Sequence, residues 1–333
     1  MKNLTTLNMM PSTRPTNVVF VVFDGFQLLD YSGVAAVFEM ANRCAKKLLY
    51  DCVVINIDLS ASARASNGIS VNMTHIANID TLQSDFVIVV GGEEEGLLKA
   101  LDNEPAMQEF SSLCERSKMQ CSICSGAFFL AAIGALNNKN ATTHWSAVDV
   151  LRSNFPNINV RENVLYTMDG NTFTSAGVST GIDLALEIVA QQHGVRLSND
   201  VAKRLVVSAH RPANASQISL SMIQQQDTEH NFAELIRFLQ HAINKEVSVE
   251  EMAEFTHMSE RNFARKFHQA IGMPPHRYFK YLKVEHAKSL LSRGYTSSQI
   301  QEAIGYKTEL GLNKAFVQVT GMTVYQLKKQ MAM

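Results

Sequence analysis

The chain has 333 residues, of which 46% are hydrophobic and 18% are charged, and its net charge is −1. This composition excludes a largely disordered, collagen-like or coiled-coil protein, and the length predicts two or three domains. The chain contains no uninterrupted apolar run of about 18 residues, so no membrane-spanning helix is expected. Its five cysteines are an odd number, which argues against a disulfide framework and predicts a reducing, cytoplasmic setting.

Charge is distributed unevenly along the chain. Residues 1–228 carry 16 basic and 21 acidic side chains, a net charge of −5, whereas residues 229–333 carry 14 basic and 10 acidic side chains, a net charge of +4. A basic C-terminal third favours nucleic acid as its partner, although a chance fluctuation gives the same pattern. The first 16 residues lack the apolar core of a signal peptide and are expected to form a disordered tail.

Strand-like and helix-like segments alternate between residues 17 and 210. Four short apolar runs are typical of buried strands: 17–23, 85–92, 119–124 and 171–177. Helical composition follows the third and the fourth run, and Gly194 is expected to end the second of these helices. Strands followed repeatedly by helices predict a parallel sheet with helices on both faces.

Ligands of such sheets bind at the carboxyl ends of the strands, and chemically useful residues fall there. Cys124 ends a strand and begins a helix, whose positive end favours a thiolate. Gly91 and Gly92 end the neighbouring strand, where their backbone N–H groups can form an anion or oxyanion pocket. With His144 and Asp30 at the same edge, cysteine, histidine and acid would complete the set used in nucleophilic catalysis.

Several of these residues also have a structural interpretation. His144 stands beside Trp145 and can be a hydrogen-bonded structural residue. Cys121 and Cys124 form a C-x-x-C pair, but no second pair of ligands stands at zinc-binding spacing. No metal or other cofactor is therefore expected, and a redox dithiol is a minor alternative. Cys121 is expected to point into the sheet, and the remaining cysteines are interpreted as small buried hydrophobic residues: Cys44, Cys52 and Cys114.

The C-terminal part of the chain lacks the alternation of strand-like and helix-like segments. The segment 211–230 is rich in serine, glutamine and asparagine and is interpreted as a linker. Every segment after it fits short helices, beginning with the amphipathic run 232–243. Ser248 and Glu251 form a capping box that begins the next helix. A turn over 256–258 then leads into a further helix.

That further helix has an apolar and a basic face. Ser259 can cap it, and Phe263 and Phe267 lie four residues apart on one face. Basic residues lie on or beside the other face: Arg261, Arg265 and Lys266. A helix, a short turn and a helix with a basic outer face make helix-turn-helix geometry. A helical bundle with a solvated charged surface is the alternative, and one such unit leaves the choice open.

The same pattern recurs after a long helix predicted over 275–291, which has Pro275 in its first turn. The segments 297–306 and 308–321 then form a second unit of short helix, turn and helix. At 1.5 Å per residue the long helix spans roughly 26 Å, comparable to the ~34 Å between successive major grooves on one face of DNA. One rigid helix can therefore place the recognition helices of two helix-turn-helix units in adjacent major grooves.

Residues 232–331 resemble the AraC-type DNA-binding domain in the motifs ERNFARKFHQAIGMPP, YLKVEHAKSLL, QEAIGYKT and KAFVQVTGM. The resemblance implies a transcription regulator that binds duplex DNA through two helix-turn-helix units. In the first unit it implies base or phosphate contacts at Ser259, Arg261, Asn262, Ala264, Arg265 and Lys266. In the second unit it implies them at Thr308, Glu309, Leu310, Asn313 and Lys314. Arginine can pair bidentately with guanine and asparagine with adenine, and helix N-termini can donate backbone N–H groups to phosphates.

The second unit departs from the family pattern more than the first. Gln301 replaces a small packing alanine, and Val324 replaces the usual proline. Gly311 sits inside the recognition helix, at a cost of roughly 1 kcal/mol relative to alanine. In the first unit His257 stands where the turn usually has glycine, and histidine tolerates a positive φ better than most residues. We therefore expect the first unit to carry most of the base specificity and the second mainly to add affinity for the DNA backbone.

Residues 17–195 resemble the PfpI-type, class I glutamine-amidotransferase-like superfamily in the motifs VVFDGFQLLDYSGVAAVFE, DFVIVVGG, CSGAFFLAAIGALNNKNATTHW and TSAGVSTGIDLALEIV. The resemblance implies a flavodoxin-like α/β sandwich with an elbow cysteine at Cys124 and its acid at Asp30. The two domains together resemble the GlxA-type subgroup of AraC regulators. In that subgroup the N-terminal domain is thought to sense a small, often nitrogen-containing metabolite and to dimerise. The implied ligand site comprises Asp30, Gly91, Gly92, Cys124, Ser125 and His144.

The sequence therefore predicts a cytoplasmic, homodimeric transcription regulator rather than an enzyme. An α/β flavodoxin-like sandwich with a parallel sheet is followed by an all-α domain with two helix-turn-helix units. Four regions are expected: a disordered tail (1–16), a ligand-sensing and dimerisation domain (17–210), a linker (211–230) and a DNA-binding domain (231–333). The expected partners are double-stranded promoter DNA and a small effector, with no membrane. Two alternatives stay open: a cysteine-dependent hydrolase, amidase or hydratase with a DNA-binding appendage, and a thiol-based redox regulator.

Overall fold

The computed structural model describes residues 14–74, 84–207, 211, 213, 217, 232–271, 273–320 and 322–331. Contacts between residues divide the chain into two units, Met1–Ala215 and Ser216–Met333. The predicted tail up to residue 13 and most of the predicted linker lie outside the described residues. Within the described residues, no helix combines the length and the apolar content that a membrane crossing requires.

The first unit is built around one six-stranded sheet. The strands of this unit are β1 (Thr16–Val22), β2 (Tyr50–Asn56), β3 (Ser62–Arg64), β4 (Ser70–Asn72), β5 (Phe86–Val89), β6 (Met119–Ile123), β7 (Asn140–Ala141), β8 (Asn159–Val160), β9 (Tyr166–Asp169) and β10 (Thr172–Ser175). The order in the large sheet is β2-β1-β5-β6-β10-β9, and every neighbouring pair is parallel except β10 and β9. The predicted parallel sheet is thus confirmed, with one antiparallel strand at its edge.

The four strands predicted from apolar runs are β1, β5, β6 and β10, which form the centre of the large sheet. Residues 18–22 in β1 and 86–89 in β5 are at most 1% exposed. Such burial is expected for strands that are covered on both faces. The strands that the sequence analysis missed include both edges of this sheet, β2 and β9.

Helices follow the central strands at their carboxyl ends. The helices of this unit are α1 (Leu28–Ala45), α2 (Glu94–Leu101), α3 (Glu104–Arg116), α4 (Ala127–Ala132), α5 (Val148–Asn154), α6 (Val178–His193) and α7 (Val195–Arg204). Helices α1, α6 and α7 pack against one another. Gly194 ends α6 as predicted, with a φ of 90°. The starts of α1, α4 and α6 follow β1, β6 and β10, so they meet at one edge of the sheet.

The opposite edge of the sheet is tied together by Asp85, which precedes β5. Its carboxylate accepts hydrogen bonds from the Arg14 guanidinium at 2.8 and 2.9 Å and from the Asn17 N–H at 2.9 Å. Lys118 Nζ lies 2.9 Å from the same carboxylate. Burial alone would raise the pKa of Asp85, but these partners lower it below its usual range. The amino ends of β1, β5 and β6 are thereby held together, away from the edge where the candidate site lies.

The second unit has only helices among its described residues: α8 (Phe232–His241), α9 (Val249–Phe255), α10 (Glu260–Ile271), α11 (Pro275–Ser292), α12 (Ser297–Ala303), α13 (Glu309–Thr320) and α14 (Val324–Met331). One apolar core joins α8, α9, α10 and the first half of α11, and it includes Phe263 and Phe267. A second core joins the other half of α11 with α12, α13 and α14, and it includes Leu312 and Phe316. The long helix α11 is therefore shared by two helix-turn-helix units, as predicted.

Some of the helix-end features of the second unit were predicted from the sequence and one was not. The N–H of Glu251 donates to Ser248 Oγ at 3.1 Å, and the N–H of Ser248 donates to Glu251 Oε2 at 2.6 Å, which confirms the predicted capping box. His257 has a φ of 55°, as its position in the turn predicts. A second capping box, formed by Thr296 and Gln299 at the start of α12, was not predicted.

Candidate functional site

Cys124 occupies a tight turn between β6 and α4. Its φ is 57°, in the left-handed region that residues other than glycine rarely adopt. Gly177, just before α6, lies directly against it, because a Cβ at Gly177 would stand 2.8 Å from both Cβ and Sγ of Cys124. The structure therefore contains the elbow predicted at Cys124. The absence of a side chain at Gly177 is what allows the start of α6 to approach the thiol.

Asp30 lies in the first turn of α1 and is fully buried. Its Oδ1 accepts the N–H of Val178 at 2.8 Å, and its Oδ2 accepts the N–H of Gly91 at 3.2 Å. A further hydrogen bond joins its carboxylate to the thiol of Cys124. Burial raises the pKa of Asp30 to about 6, and these three hydrogen bonds oppose the rise. The structure thus brings Asp30 and Cys124 together, as the sequence predicted.

The surroundings of the Cys124 thiol raise its pKa. Burial raises its pKa to about 12, and the charge of the Asp30 carboxylate adds to the rise. Hydrogen bonds from the backbone and the side chain of Ser125 act in the opposite direction and are outweighed. Desolvation and the neighbouring carboxylate thus act against the thiolate that the helix end favours.

The two glycines after β5 hold the site together rather than forming an open anion pocket. The N–H of Gly91 donates to Asp30, and the N–H of Gly92 donates to Ser125 Oγ at 3.0 Å. Both donors are therefore occupied within the protein, and the oxyanion pocket predicted for them is wrong. A Cβ at Gly91 would lie 2.6 Å from the backbone nitrogen of Ser125, so the two loops meet without room for a side chain.

His144 makes its hydrogen bond and its ring contact with near neighbours in the chain. Its Nδ1 is hydrogen-bonded to Ser146 Oγ at 2.8 Å, and its ring centroid lies 5.3 Å from that of Trp145. Within residues 14–74 and 84–207, no hydrogen bond joins His144 to Cys124 or Asp30. The residue before it makes the contact instead, since Thr143 Oγ1 donates to the carbonyl of Cys124 at 2.9 Å. Of the three predicted residues, a hydrogen bond thus joins Cys124 to Asp30, whereas His144 is bonded to Ser146.

The first helix-turn-helix unit presents a basic surface on α10. Phe263 and Phe267 are fully buried, whereas Arg261 and Arg265 are exposed. The guanidinium of Arg265 donates to Asn262 Oδ1 and to Gln269 Oε1, both at 3.1 Å. These acceptors are neutral, so the positive charge of Arg265 is not cancelled. The remaining predicted contact residues of this unit lie at the start or on the outer part of the same helix: Ser259, Ala264 and Lys266.

In the second unit Asn313, which was predicted to contact bases, forms hydrogen bonds within the protein instead. The side chain of Asn313 accepts the N–H of Val324 at 3.1 Å and donates to the carbonyl of Glu309 at 3.1 Å. A proline at position 324 would have no N–H, so Val324 creates the donor that Asn313 satisfies. Reading a base with Asn313 would break both bonds. Thr308 Oγ1 accepts the N–H of Gly311 at 3.1 Å, which supports the start of α13 despite that glycine.

Within the described part of the chain, no group of three or more histidine, cysteine, aspartate or glutamate side chains is placed to hold a metal ion.

Two family profiles match the sequence. The DJ-1/PfpI family matches residues 16–191, more than half of the chain, and a helix-turn-helix domain matches residues 252–330. The chain belongs to the DJ-1/PfpI family.

Known regulators of transcription are similar to this DJ-1/PfpI protein over most of its length. The HTH-type transcriptional regulator CdhR of Pseudomonas aeruginosa is 26% identical and covers 89% of this chain and 87% of its own. The HTH-type transcriptional regulator GlxA of Rhizobium meliloti is 24% identical and covers 96% of this chain and 97% of its own. The crystal structure of a ThiJ/PfpI family protein from Pseudomonas syringae shares the fold, with a TM-score of 0.54 and 21% identity over 72% of this chain and 93% of that one. The predicted combination of a PfpI-like domain with an AraC-type helix-turn-helix domain is confirmed.

This DJ-1/PfpI protein also has a contact that the sequence analysis missed, at the start of the predicted linker. The backbone N–H, Nε and Nη2 of Arg211 donate to the carboxylate of Asp183 at 3.0, 3.0 and 2.6 Å. Nη2 of Arg211 also donates to Ser179 Oγ at 3.0 Å. The carboxylate of Asp183 is 1% exposed. Both acceptors lie on α6, whose first residue, Val178, binds the carboxylate of Asp30.

Proposed function

We propose that the chain is a sequence-specific DNA-binding transcriptional regulator that responds to a small metabolite bound near Cys124. The observation that carries the DNA-binding part is α10, which buries its phenylalanines and exposes Arg261 and Arg265 as the second helix of a helix-turn-helix unit. A second unit on the same long helix supplies α13. The similarity to CdhR and GlxA supports the same function.

We propose that the effector is a nitrogen-containing molecule bound by the DJ-1/PfpI domain. Asp30 is fully buried and its carboxylate is hydrogen-bonded within the protein, but it is mostly ionised above pH 6, and its negative charge favours a positively charged ligand nearby. Burial and the Asp30 carboxylate raise the pKa of the Cys124 thiol, which supports binding rather than nucleophilic turnover. The ion pair of Arg211 with α6 supports a physical link between this site and the segment that leads to the DNA-binding unit.

We further propose that the protein works as a homodimer in the cytoplasm. Its five cysteines are all free, which supports a reducing compartment. The dimer is proposed from the resemblance to the GlxA-type subgroup, and sedimentation of the full-length chain tests it directly.

The affinity of the full-length chain for DNA is expected to fall steeply with salt. The probe is a duplex that the chain itself selects from a random-sequence pool. Proteins that contact six to ten phosphates lose about a thousandfold or more in affinity between 50 and 200 mM salt, because bound cations are released from the phosphates. Replacing Arg261 and Lys314 together by glutamine should lower the slope of log affinity against log salt by about 2.

The control is Arg43→Gln, which removes an exposed arginine from α1 in the other unit and should leave the slope unchanged. A salt response close to zero, or a pool from which no sequence is enriched, would contradict DNA binding. Fluorescence anisotropy at five salt concentrations gives both the affinity and its slope.

A small ligand of the DJ-1/PfpI domain is expected to raise the melting temperature of the full-length chain. At a hundred times its dissociation constant, a ligand that binds only the folded state stabilises it by about 2.7 kcal/mol. For a domain of this size that corresponds to a rise of about 5–10 °C. The probes are amino acids, amines and betaines, screened one by one by thermal shift.

Asp30→Asn should remove the response to a hit, whereas Cys44→Ser, outside the site, should retain it. A complete absence of shifts across these three classes would contradict a nitrogen-containing effector. A shift that persists in Asp30→Asn would place the ligand elsewhere.

A further inference from the structure

The two helix-turn-helix units share one long helix, and this helix alone does not fix their relative orientation. Helix α11 has 18 residues and is about 27 Å long. Tyr278, Phe279 and Leu282 on its first half belong to the first core. Val284 and Ala287, which follow, belong to the second core. A helix of this length can bend gently, so contacts away from its axis must hold the two cores in register.

Lys283 stands at the boundary between the two cores. The residue is 6% exposed, and its Nζ donates to the carbonyl of Ile304 at 3.1 Å. The same Nζ lies 5.1 Å from the ring centroid of Phe279 and 5.3 Å from that of Tyr306. Phe279 belongs to the first core, whereas Ile304 and Tyr306 belong to the second. Phe279 lies one turn earlier on α11, so the contacts that Lys283 makes away from this helix are those with Ile304 and Tyr306 of the second core.

The surroundings of Lys283 suit a cation. Ile304 follows the last residue of α12, and carbonyls at the C-terminal end of a helix carry partial negative charge. The faces of Phe279 and Tyr306 add cation–π attraction. Burial lowers the pKa of Lys283, and the carboxylate of Glu246 opposes this. A methionine would fill a similar volume without burying a charge, so the ammonium group contributes directional contacts that an apolar side chain lacks.

A second contact lies away from the axis of α11. Gly305 has a φ of 71°, and a Cβ at this position would stand 2.1 Å from the carbonyl oxygen of Asn244. Asn244 follows α8, a helix of the first core, and its neighbour Ile243 packs against the second core. The turn of the second unit thus rests against the chain that follows α8. This contact and those of Lys283 with Ile304 and Tyr306 therefore meet on the same turn of the second unit, between α12 and α13.

We propose that Lys283 is a positioning residue that locks the two recognition helices, α10 and α13, in one mutual orientation. The protein thereby selects the spacing between two recognition elements in its DNA site. This inference rests on the DNA-binding function proposed above. Inserting one base pair between two elements rotates them by about 34–36° and moves them apart by about 3.4 Å. Two recognition helices held in a fixed orientation cannot follow this change. Either the DNA must deform or one of the two helices must lose its contacts with the DNA.

The test uses the full-length chain and the duplex that it selects from a random-sequence pool. The base pairs between the two selected elements are then shortened or lengthened by one, and affinities are measured by fluorescence anisotropy. The wild-type chain should lose about tenfold in affinity for either change, comparable to one mismatched base pair. Lys283→Met should bind the selected duplex within about threefold of wild type, yet its spacing penalty should shrink to about threefold or less.

Lys288→Met is the matched control. Lys288 lies on the same helix, but its ammonium group pairs with Glu285 of that helix at 2.8 Å, so this variant should keep the tenfold penalty. Tyr306→Leu removes one of the two rings around Lys283 and should also reduce the penalty, which provides a second variant if Lys283→Met is unstable. Lys283→Arg retains a cation and should restore the penalty.

A wild-type spacing penalty in both Lys283→Met and Tyr306→Leu would overturn the inference, as would a selected site with only one recognition element. A pool without any enriched sequence would instead contradict DNA binding itself. The two failures are therefore distinguishable.

Discussion

Arg265→Ala is expected to weaken binding to the selected duplex by about 1–3 kcal/mol and to relax the base preference at one position. Arg265 is exposed on α10, and its guanidinium is held by the neutral side chains of Asn262 and Gln269. These bonds orient the side chain without neutralising it, so it can transfer to the O6 and N7 atoms of guanine at low cost. The measurement is anisotropy against a panel of duplexes that differ from the selected site by single base pairs.

Lys314→Ala is the matched comparison in the second unit. Lys314 is exposed on α13, and lysine at a phosphate adds affinity without distinguishing bases. Its loss should weaken binding about equally across the panel and reduce the salt slope by about 1. If Lys314→Ala relaxes the base preference more than Arg265→Ala does, the division of roles between the two units is wrong.

The structure adds a physical reason for this division. Asn313 is the residue of α13 best suited to read adenine, yet its carboxamide binds the N–H of Val324 and the carbonyl of Glu309. Releasing it would leave the N–H at the start of α14 without its acceptor, and Val324 is 2% exposed. The departure at Val324, noted from the sequence, thus supplies an N–H that occupies Asn313, a residue predicted to contact bases.

The fold was predictable where burial is complete and unpredictable where it is partial. The apolar runs of β1 and β5 contain no exposed residue, so their composition alone predicts central strands. In the edge strand β2 the second and third residues, Asp51 and Cys52, are exposed, and β9 is mostly half-buried. Edge strands need no apolar run, because one side of each faces no further strand. The antiparallel direction of β9 depends on a turn at Gly170 and leaves no periodic signal.

The sequence predicted which residues of the candidate site lie together at the strand ends. It did not predict the hydrogen bonds that join them. Cys124 and Asp30 both follow central strands, and the structure joins them. Gly177 and Val178 were missed as partners because their proximity depends on β10 pairing with β6, a contact between segments about fifty residues apart. The strand, glycine and helix junction at residues 175–178 was the available signal. The helix end that favours a thiolate at Cys124 is visible in the sequence, whereas the burial and the Asp30 carboxylate that raise the pKa of this thiol are not.

Cys124 in the native chain is expected to react with iodoacetamide at pH 8 about a hundredfold more slowly than the same residue in the guanidinium-unfolded chain. Only the thiolate reacts, and burial with the nearby Asp30 carboxylate raises the pKa of this thiol to about 12. The native rate should therefore keep rising with pH beyond 10. In the unfolded chain it should level off above an ordinary thiol pKa of about 8.5. The alkylated peptide is quantified by mass spectrometry.

The pH profile separates the electrostatic cause from simple shielding. Poor access would lower the rate at every pH and leave the midpoint of the profile unchanged, whereas a raised pKa moves the midpoint upward. Asp30→Asn removes a negative charge beside the thiol and should lower that midpoint by about one pH unit, with a faster reaction at pH 8. A native midpoint at or below about 8.5 would mean a reactive thiolate. It would favour the cysteine-dependent enzyme over a domain that binds its ligand without turning it over.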